Sequence, residues 1–248
     1  MNEMNLRLKQ LEIKLKDSTK KSKTKDLQTK NIALKLWPSR TLKEILENPL
    51  NYKQPIIQPR LMTQKEFLDS LREKKVPQEI IDQIELVNVD YRGFNNQIYP
   101  GQIIINKYLV SSIKRIFKRI LLETDFPMTS IFPISMFNWN TSSRLNNCGA
   151  FDWRFVENSN EISDHAFGAA IDINSVLNPF IKKGLPNSPN YPRDLSKKGT
   201  LQADSEIVKI FKEEGWKWGG DWKNSQDWMH FYRPEIAYKY YGKVEVEE

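Results

Sequence analysis

The sequence predicts a mixed α+β domain, and three observations carry that expectation. Residues 106–123 place Leu109, Ile113, Ile116, Phe117 and Ile120 on one helical face. Residues 86–91, Leu-Val-Asn-Val-Asp-Tyr, alternate as a half-buried strand does. Residues 170–173, Ala-Ile-Asp-Ile, form a β-like run with a carboxylate among apolar neighbours. Helical and strand signals mixed along one chain point to the α+β class.

Taken in order, Met4, Leu8, Leu11 and Leu15 recur at helical spacing and predict a short amphipathic or coiled-coil helix. Residues 16–30 are a Lys, Ser and Thr run with Leu27 as the one apolar residue, a solvated linker by composition. Residues 1–35 are therefore expected to be a basic helical or disordered arm. Residues 36–85 form a helical lead-in with short helices at 41–47 and 63–72, joined by a Pro-rich connector at 49–59. Thr63 followed three residues later by Glu66 is a capping-box signature, and a third helix is expected after Pro77. The principal domain, 86–242, then opens with the strand at 86–91, a turn at Gly93, a strand at 103–105 and the helix at 106–123. Residues 126–132 lead into the motif region.

A chain of 248 residues can bury a sizeable core, and its 39% hydrophobic and 28% charged residues are ordinary for a globular protein. The single cysteine, Cys148, excludes an intramolecular disulfide framework and reads as a small buried thiol. The net charge of +7 is uneven: residues 1–30 hold nine Lys or Arg against four Asp or Glu, a net of +5, leaving +2 for the rest. Basic character thus belongs to the arm, which suits contact with an anionic surface, and no nucleic-acid partner is expected for the globular part. Lys or Arg interrupts every apolar group from Met4 to Leu36, so no signal-peptide run is visible and the chain reads as made in the cytoplasm. Five cations between residues 103 and 122 exclude a transmembrane segment there.

The chain has two histidines, each in an unusual setting. Ser163-Asp164-His165-Ala166-Phe167-Gly168-Ala169-Ala170-Ile171-Asp172 separates an imidazole and a carboxylate by small residues that permit close backbone approach. Further on, Asp227-Trp228-Met229-His230 sets an acid three residues before the second imidazole. Two imidazoles, one ligand carboxylate and one spare carboxylate suit a catalytic zinc, which takes three protein ligands and keeps one position open. The alternative is that both histidines are packed structural residues and Asp172 a cap or salt-bridge partner; spacing alone leaves both readings open. Four of the seven Trp, at 216, 218, 222 and 228, fall within this second region. Trp218 and Trp222 flank Gly219-Gly220 as possible walls of a substrate cleft, while Trp216 and Trp228 read as core.

Both segments closely resemble the paired motifs of the D-alanyl-D-alanine carboxypeptidase family of zinc peptidases, peptidase family M15. That group includes VanY-like enzymes and the L-alanyl-D-glutamate endopeptidases of phage lysins. Ser163, His165, Gly168, Ala170 and Asp172 match the pattern Ser-x-His-x-x-Gly-x-Ala-x-Asp, and Asp227 with His230 matches acid-x-x-His. The likeness spans about residues 86–241. It implies a hedgehog/D,D-peptidase-type fold with a small antiparallel sheet carrying the zinc ligands His165, Asp172 and His230, and Asp227 as general base. It further implies a substrate-binding role for Arg154, eleven residues before His165, whose guanidinium can pair bidentately with a carboxylate. Ser163 and Trp218 are likewise read as substrate-binding residues, Ser163 through hydrogen bonds near the site and Trp218 as a wall of the cleft.

The function so implied is a zinc-dependent peptidase acting on peptidoglycan peptide stems, in the first place a D-alanyl-D-alanine carboxypeptidase. An L-alanyl-D-glutamate endopeptidase is the nearest alternative. A non-catalytic zinc-binding module of the same fold is the third, against which the spare carboxylate of Asp227 speaks. Such a substrate lies in the periplasm or cell wall, and the chain itself leaves its localisation and export route undetermined.

Overall fold

The computed structural model describes residues 60–157, 159–182 and 193–241. The arm at 1–35, the helix at 41–47 and the connector at 49–59 lie outside the described residues. Helix α1 (Gln64–Glu73) starts at the expected cap: Thr63 Oγ1 accepts the Glu66 N–H, and the Glu66 carboxylate accepts the Thr63 N–H at 2.9 Å. Two donors that every helix start leaves unpaired are thereby satisfied. One-turn helix α2 (Gln78–Ile81) follows Pro77.

Strands β1 (Ile84–Arg92) and β2 (Ile98–Asn106) form an antiparallel hairpin, with Ile84 opposite Asn106 and Arg92 opposite Ile98. Both exceed the stretches visible as alternation. In β2 the first three residues are largely exposed and the last six all buried, so neither half alternates and the ladder extends beyond the pattern. The helix expected from 106 is divided: the Asn106 side chain caps a 3-10 turn (Lys107–Leu109), after which α3 (Val110–Glu123) lays Ile113, Ile116, Phe117 and Ile120 across β1.

Short parallel strands β3 (Ser130–Ile131) and β4 (Asn147–Cys148) flank helix α4 (Trp139–Arg144) in sequence. A three-stranded antiparallel sheet is built from β5 (Ala170–Asp172), β7 (Lys217–Trp218) and β9 (His230–Tyr232), with β9 central. Beside it β6 (Phe180–Lys182) pairs with β8 (Ser225–Asp227). Helix α5 (Glu206–Glu213) precedes β7, and α6 (Pro234–Tyr241) closes the described chain. None of the described helices is long and apolar enough to cross a membrane.

Period-two alternation gives the sheet its two faces. Phe231 points into the core, stacked on Phe211 at 3.9 Å between ring centroids, while His230 and Tyr232 on either side of it lie together at 5.3 Å on the other face. One apolar cluster runs from Met62, Phe67 and Leu71 through Ile103–Ile105 and α3 to Phe211, Trp216 and Phe231. Residues 60–83 share that core, and residue 86 lies within β1 rather than between elements.

Buried asparagines fix the backbone after β5. Asn174, at φ +48°, accepts the Thr129 N–H and donates to the Pro127 and Gly199 carbonyls at 2.9 and 3.1 Å. Asn178 accepts the Leu201 N–H at 2.7 Å and donates to the Ile173 carbonyl at 3.0 Å; Asn146 accepts the Val176 N–H at 2.8 Å. A short amide side chain satisfies backbone groups of irregular segments that no strand or helix can pair.

Gly168 joins the β1–β2 hairpin to the motif region. Its φ is +61°, its carbonyl accepts the Asn106 N–H at 3.0 Å, and a Cβ there would lie 2.6 Å from the Asn106 nitrogen. Gly168→Ala meets both a left-handed backbone and a backbone clash, so it should lower stability by about 3 kcal/mol or more. Urea denaturation followed by circular dichroism measures this, and a loss under about 0.5 kcal/mol would contradict the packing described.

Candidate metal centre

His165 sits on a 3-10 turn (Asp164–Phe167). Ser163 Oγ caps the turn by accepting the His165 N–H at 3.3 Å, and the left-handed Gly168 ends it. The His165 carbonyl accepts the Asp152 N–H at 3.1 Å. On the ring, Nδ1 is hydrogen-bonded to the Ala150 carbonyl. A carbonyl only accepts, so Nδ1 carries a proton, and Nε2 offers a lone pair whenever the ring is neutral.

Asp172 ends β5. Its backbone N–H and C=O both pair with Gly149, at 2.9 and 3.1 Å, while β9 runs along the other edge. Asp172 and His230, opposite one another across β5 and β9, are therefore a non-hydrogen-bonded pair, the geometry that brings cross-strand side chains closest. Asp172 Oδ1 lies 3.3 Å from His165 Nε2 and 3.0 Å from His230 Nδ1. One donor atom from each residue falls within 4.8 Å of the others, with 1%, 2% and 8% of His165, Asp172 and His230 exposed.

The electrostatics follow from this closeness. Burial pushes the Asp172 carboxyl up, but the two imidazoles outweigh it and hold it well below the usual carboxylate range. Burial pushes His230 down, and its hydrogen bond to Asp172 with the charges of Asp172, Asp227 and Asp164 reverses the sign, raising it. Two imidazole nitrogens and a carboxylate oxygen sharing one buried space are the donor chemistry of a divalent transition metal.

These residues form the floor of a cleft of about 730 Å³ that also takes in Asp227, Arg154, Trp139 and Trp222. Asp227 ends β8 opposite Phe180. Gly219 lets it approach, since a Cβ there would lie 2.6 Å from the Asp227 carbonyl oxygen. The residue is half-buried overall, yet its Oδ1 is closed off and has no hydrogen-bond partner among the described residues. Burial lifts its carboxyl to about 7, with the His230 charge opposing, the Asp172 charge adding and Arg154 opposing. A buried carboxylate near neutrality beside a metal-competent cluster is suited to accept and return a proton.

The other expected residues divide. Arg154 lines the cleft, its guanidinium 3.9 Å from the centre of the Trp139 ring. Ser163 lines it too, with its hydroxyl oxygen engaged as the cap of His165. Trp218 does not: only 1% exposed, it packs against Trp228 and Phe231 and donates from Nε1 to the Trp228 carbonyl at 3.0 Å. A substrate contact for Trp218 is thus corrected to a core role, and Trp222 and Trp139 supply the indoles on the cleft. Trp216 is core as expected, hydrogen-bonded to Ser112. Cys148 is a buried thiol pushed up to about 12 by burial. Trp139, edge-on to His165 at 5.1 Å, has no sequence motif to mark it; its nearest signal is the Asn138 cap of α4.

Fold and site together define a small α+β domain whose cleft ends on a metal-competent His-Asp-His cluster. Residues 157–233 match the model of a family described as D-alanyl-D-alanine carboxypeptidase, and that segment contains His165, Asp172, Asp227 and His230. That segment is similar to peptidases of family M15. No solved structure matches it.

The cluster should take up one equivalent of divalent metal, and His165→Ala or His230→Ala should abolish uptake in calorimetric titration with zinc. Because His230 is raised, a metal must displace its proton up to a higher pH than an ordinary imidazole would require. Apparent affinity should therefore fall by about tenfold per pH unit below the His230 pKa and level off above it. Tight, pH-independent uptake by either variant would exclude this ligand set.

Proposed function

We propose that this protein is a zinc-dependent peptidase of peptidoglycan peptide stems, a D-alanyl-D-alanine carboxypeptidase with the hedgehog/D,D-peptidase type of fold over residues 86–242. One observation carries the reading: a metal-competent triad, a raised spare carboxylate and an arginine share one cleft within and just before the segment that matches the family.

In this reading His165, Asp172 and His230 hold the zinc, which supplies Lewis acidity toward a carbonyl and acidifies water. Asp227 accepts a proton from the attacking water as the new C–O bond forms. It returns that proton to the leaving amide nitrogen as the C–N bond breaks, giving one carboxylate and one amine. Arg154 pairs with the carboxylate at the end of the substrate and sets its register. The apolar faces of Trp222 and Phe180 exclude water beside the scissile bond. The small β5-β9-β7 sheet supports the fold assignment by supplying two of the three ligands.

Digestion of muropeptides, with and without chelator, tests the assignment by mass spectrometry. Loss of a single terminal alanine, abolished by chelator, is expected; release of intact stems would make the protein an L-alanyl-D-glutamate endopeptidase instead. Asp227→Ala should keep one equivalent of zinc and lose about 10³-fold in kcat. Full activity in that variant would remove Asp227 from the chemistry.

A further inference from the structure

Arg154 is held from two sides, by residues lying before the segment that matches the family. Residues 152–156 run antiparallel to 161–165: Asp152 N–H donates to the His165 carbonyl at 3.1 Å, Ser163 N–H to the Arg154 carbonyl at 3.2 Å, and Val156 N–H to the Glu161 carbonyl at 2.8 Å. The backbone of Arg154 is thereby registered against the turn that presents His165. Its side chain then lies with Cζ 3.9 Å from the Trp139 ring centre and Nε 3.5 Å from Asp152 Oδ2. The other oxygen of Asp152 accepts Lys74 Nζ, at the end of α1, at 2.9 Å.

Asp152 is 5% exposed, and a carboxylate so placed needs cationic partners. It has two, so Lys74, Asp152 and Arg154 together carry one net positive charge, directed to the cleft through Arg154. Trp139 attracts the guanidinium face but offers its N–H groups no acceptor, so it fixes the plane without occupying the donors. The same indole meets the His165 ring edge-on at 5.1 Å. A flexible side chain is thus fixed relative to the metal-competent cluster before any ligand arrives, which lowers the entropic cost of binding.

We infer that Asp152 and Trp139 are positioning residues for Arg154, that Lys74 supplies the compensating charge, and that helix α1 is therefore part of the apparatus that selects a carboxylate-terminated peptide. The selection rests on the proposed role of Arg154 in substrate binding; the positioning does not. Charge alone makes the opposite statement about Asp152, because removing an anion beside Arg154 would tighten carboxylate binding.

Two measurements on the full, zinc-loaded chain test this in Asp152→Asn. The first is the order parameter of the Arg154 Nε–H bond by 15N relaxation, assigned through its loss in Arg154→Lys. It should be about 0.8 in the parent and fall below about 0.6 in the variant. The second is turnover of a peptide ending in D-alanyl-D-alanine beside its C-terminal amide. KM for the free acid should rise about tenfold with kcat within twofold, and KM for the amide should stay unchanged. Trp139→Leu should reproduce both changes and Trp139→Phe should restore them. Lys74→Met should leave Arg154 ordered and raise the free-acid KM severalfold. An Arg154 as mobile in the parent as in Asp152→Asn, or a lower KM in Asp152→Asn, overturns the inference. A parent that cleaves neither peptide defeats the proposed function, and the order parameter alone then decides the positioning.

Discussion

The structure depends on a carboxylate placed where a carboxylate is costly. Asp172 is buried, and the interior tolerates its charge because two imidazoles share one of its oxygens. Much of the surrounding architecture can be traced to that requirement. Gly149 takes both backbone groups of Asp172, leaving its side chain to the non-hydrogen-bonded side of the β5–β9 ladder. Gly168 bends the chain so that His165, seven residues before Asp172, returns to the same point. The Ala150 carbonyl turns the His165 ring so that the lone pair on Nε2 faces inward.

The two walls of the cleft have different origins. The metal-competent side, with the raised carboxyl of Asp227, comes from residues within the family match, carried on the 3-10 turn of His165 and on β5, β8 and β9. The cationic side comes from the arm at 152–156 and from α4, which precede the match. The two walls are thus built by separate stretches of chain, joined by the backbone bonds between 152–156 and 161–165.

How much of this was legible follows from the range of each interaction. The α1 cap, the apolar face of α3 and the strand at 86–91 are local and were readable from spacing. The His165, Asp172 and His230 cluster was readable as a candidate because only two histidines exist and each has an acid at short separation. Trp139 and Gly149 were not, since their roles exist only after distant segments meet. Trp218 was misplaced for a related reason: it lies four residues from Trp222, and composition cannot tell which indole faces inward. The 3-10 turn at Gly219–Asp221 between them decides, sending Trp218 under the sheet and Trp222 to the cleft.

The asparagines behind β5 tie the chemical ageing of the protein to its folding. An asparagine deamidates when the next backbone nitrogen can reach its side-chain carbonyl, and Asn146, Asn147 and Asn174 are each held by hydrogen bonds at both ends of the amide. Folded, they are locked against that attack. Unfolded by heat, they are free to convert to aspartate, which on return would face the carbonyl oxygens of Pro127, Phe132 and Gly199 with an anion in place of a donor. Each thermal excursion therefore removes some molecules from the refolding pool, and useful lifetime when hot is a matter of accumulated time unfolded rather than of the midpoint temperature.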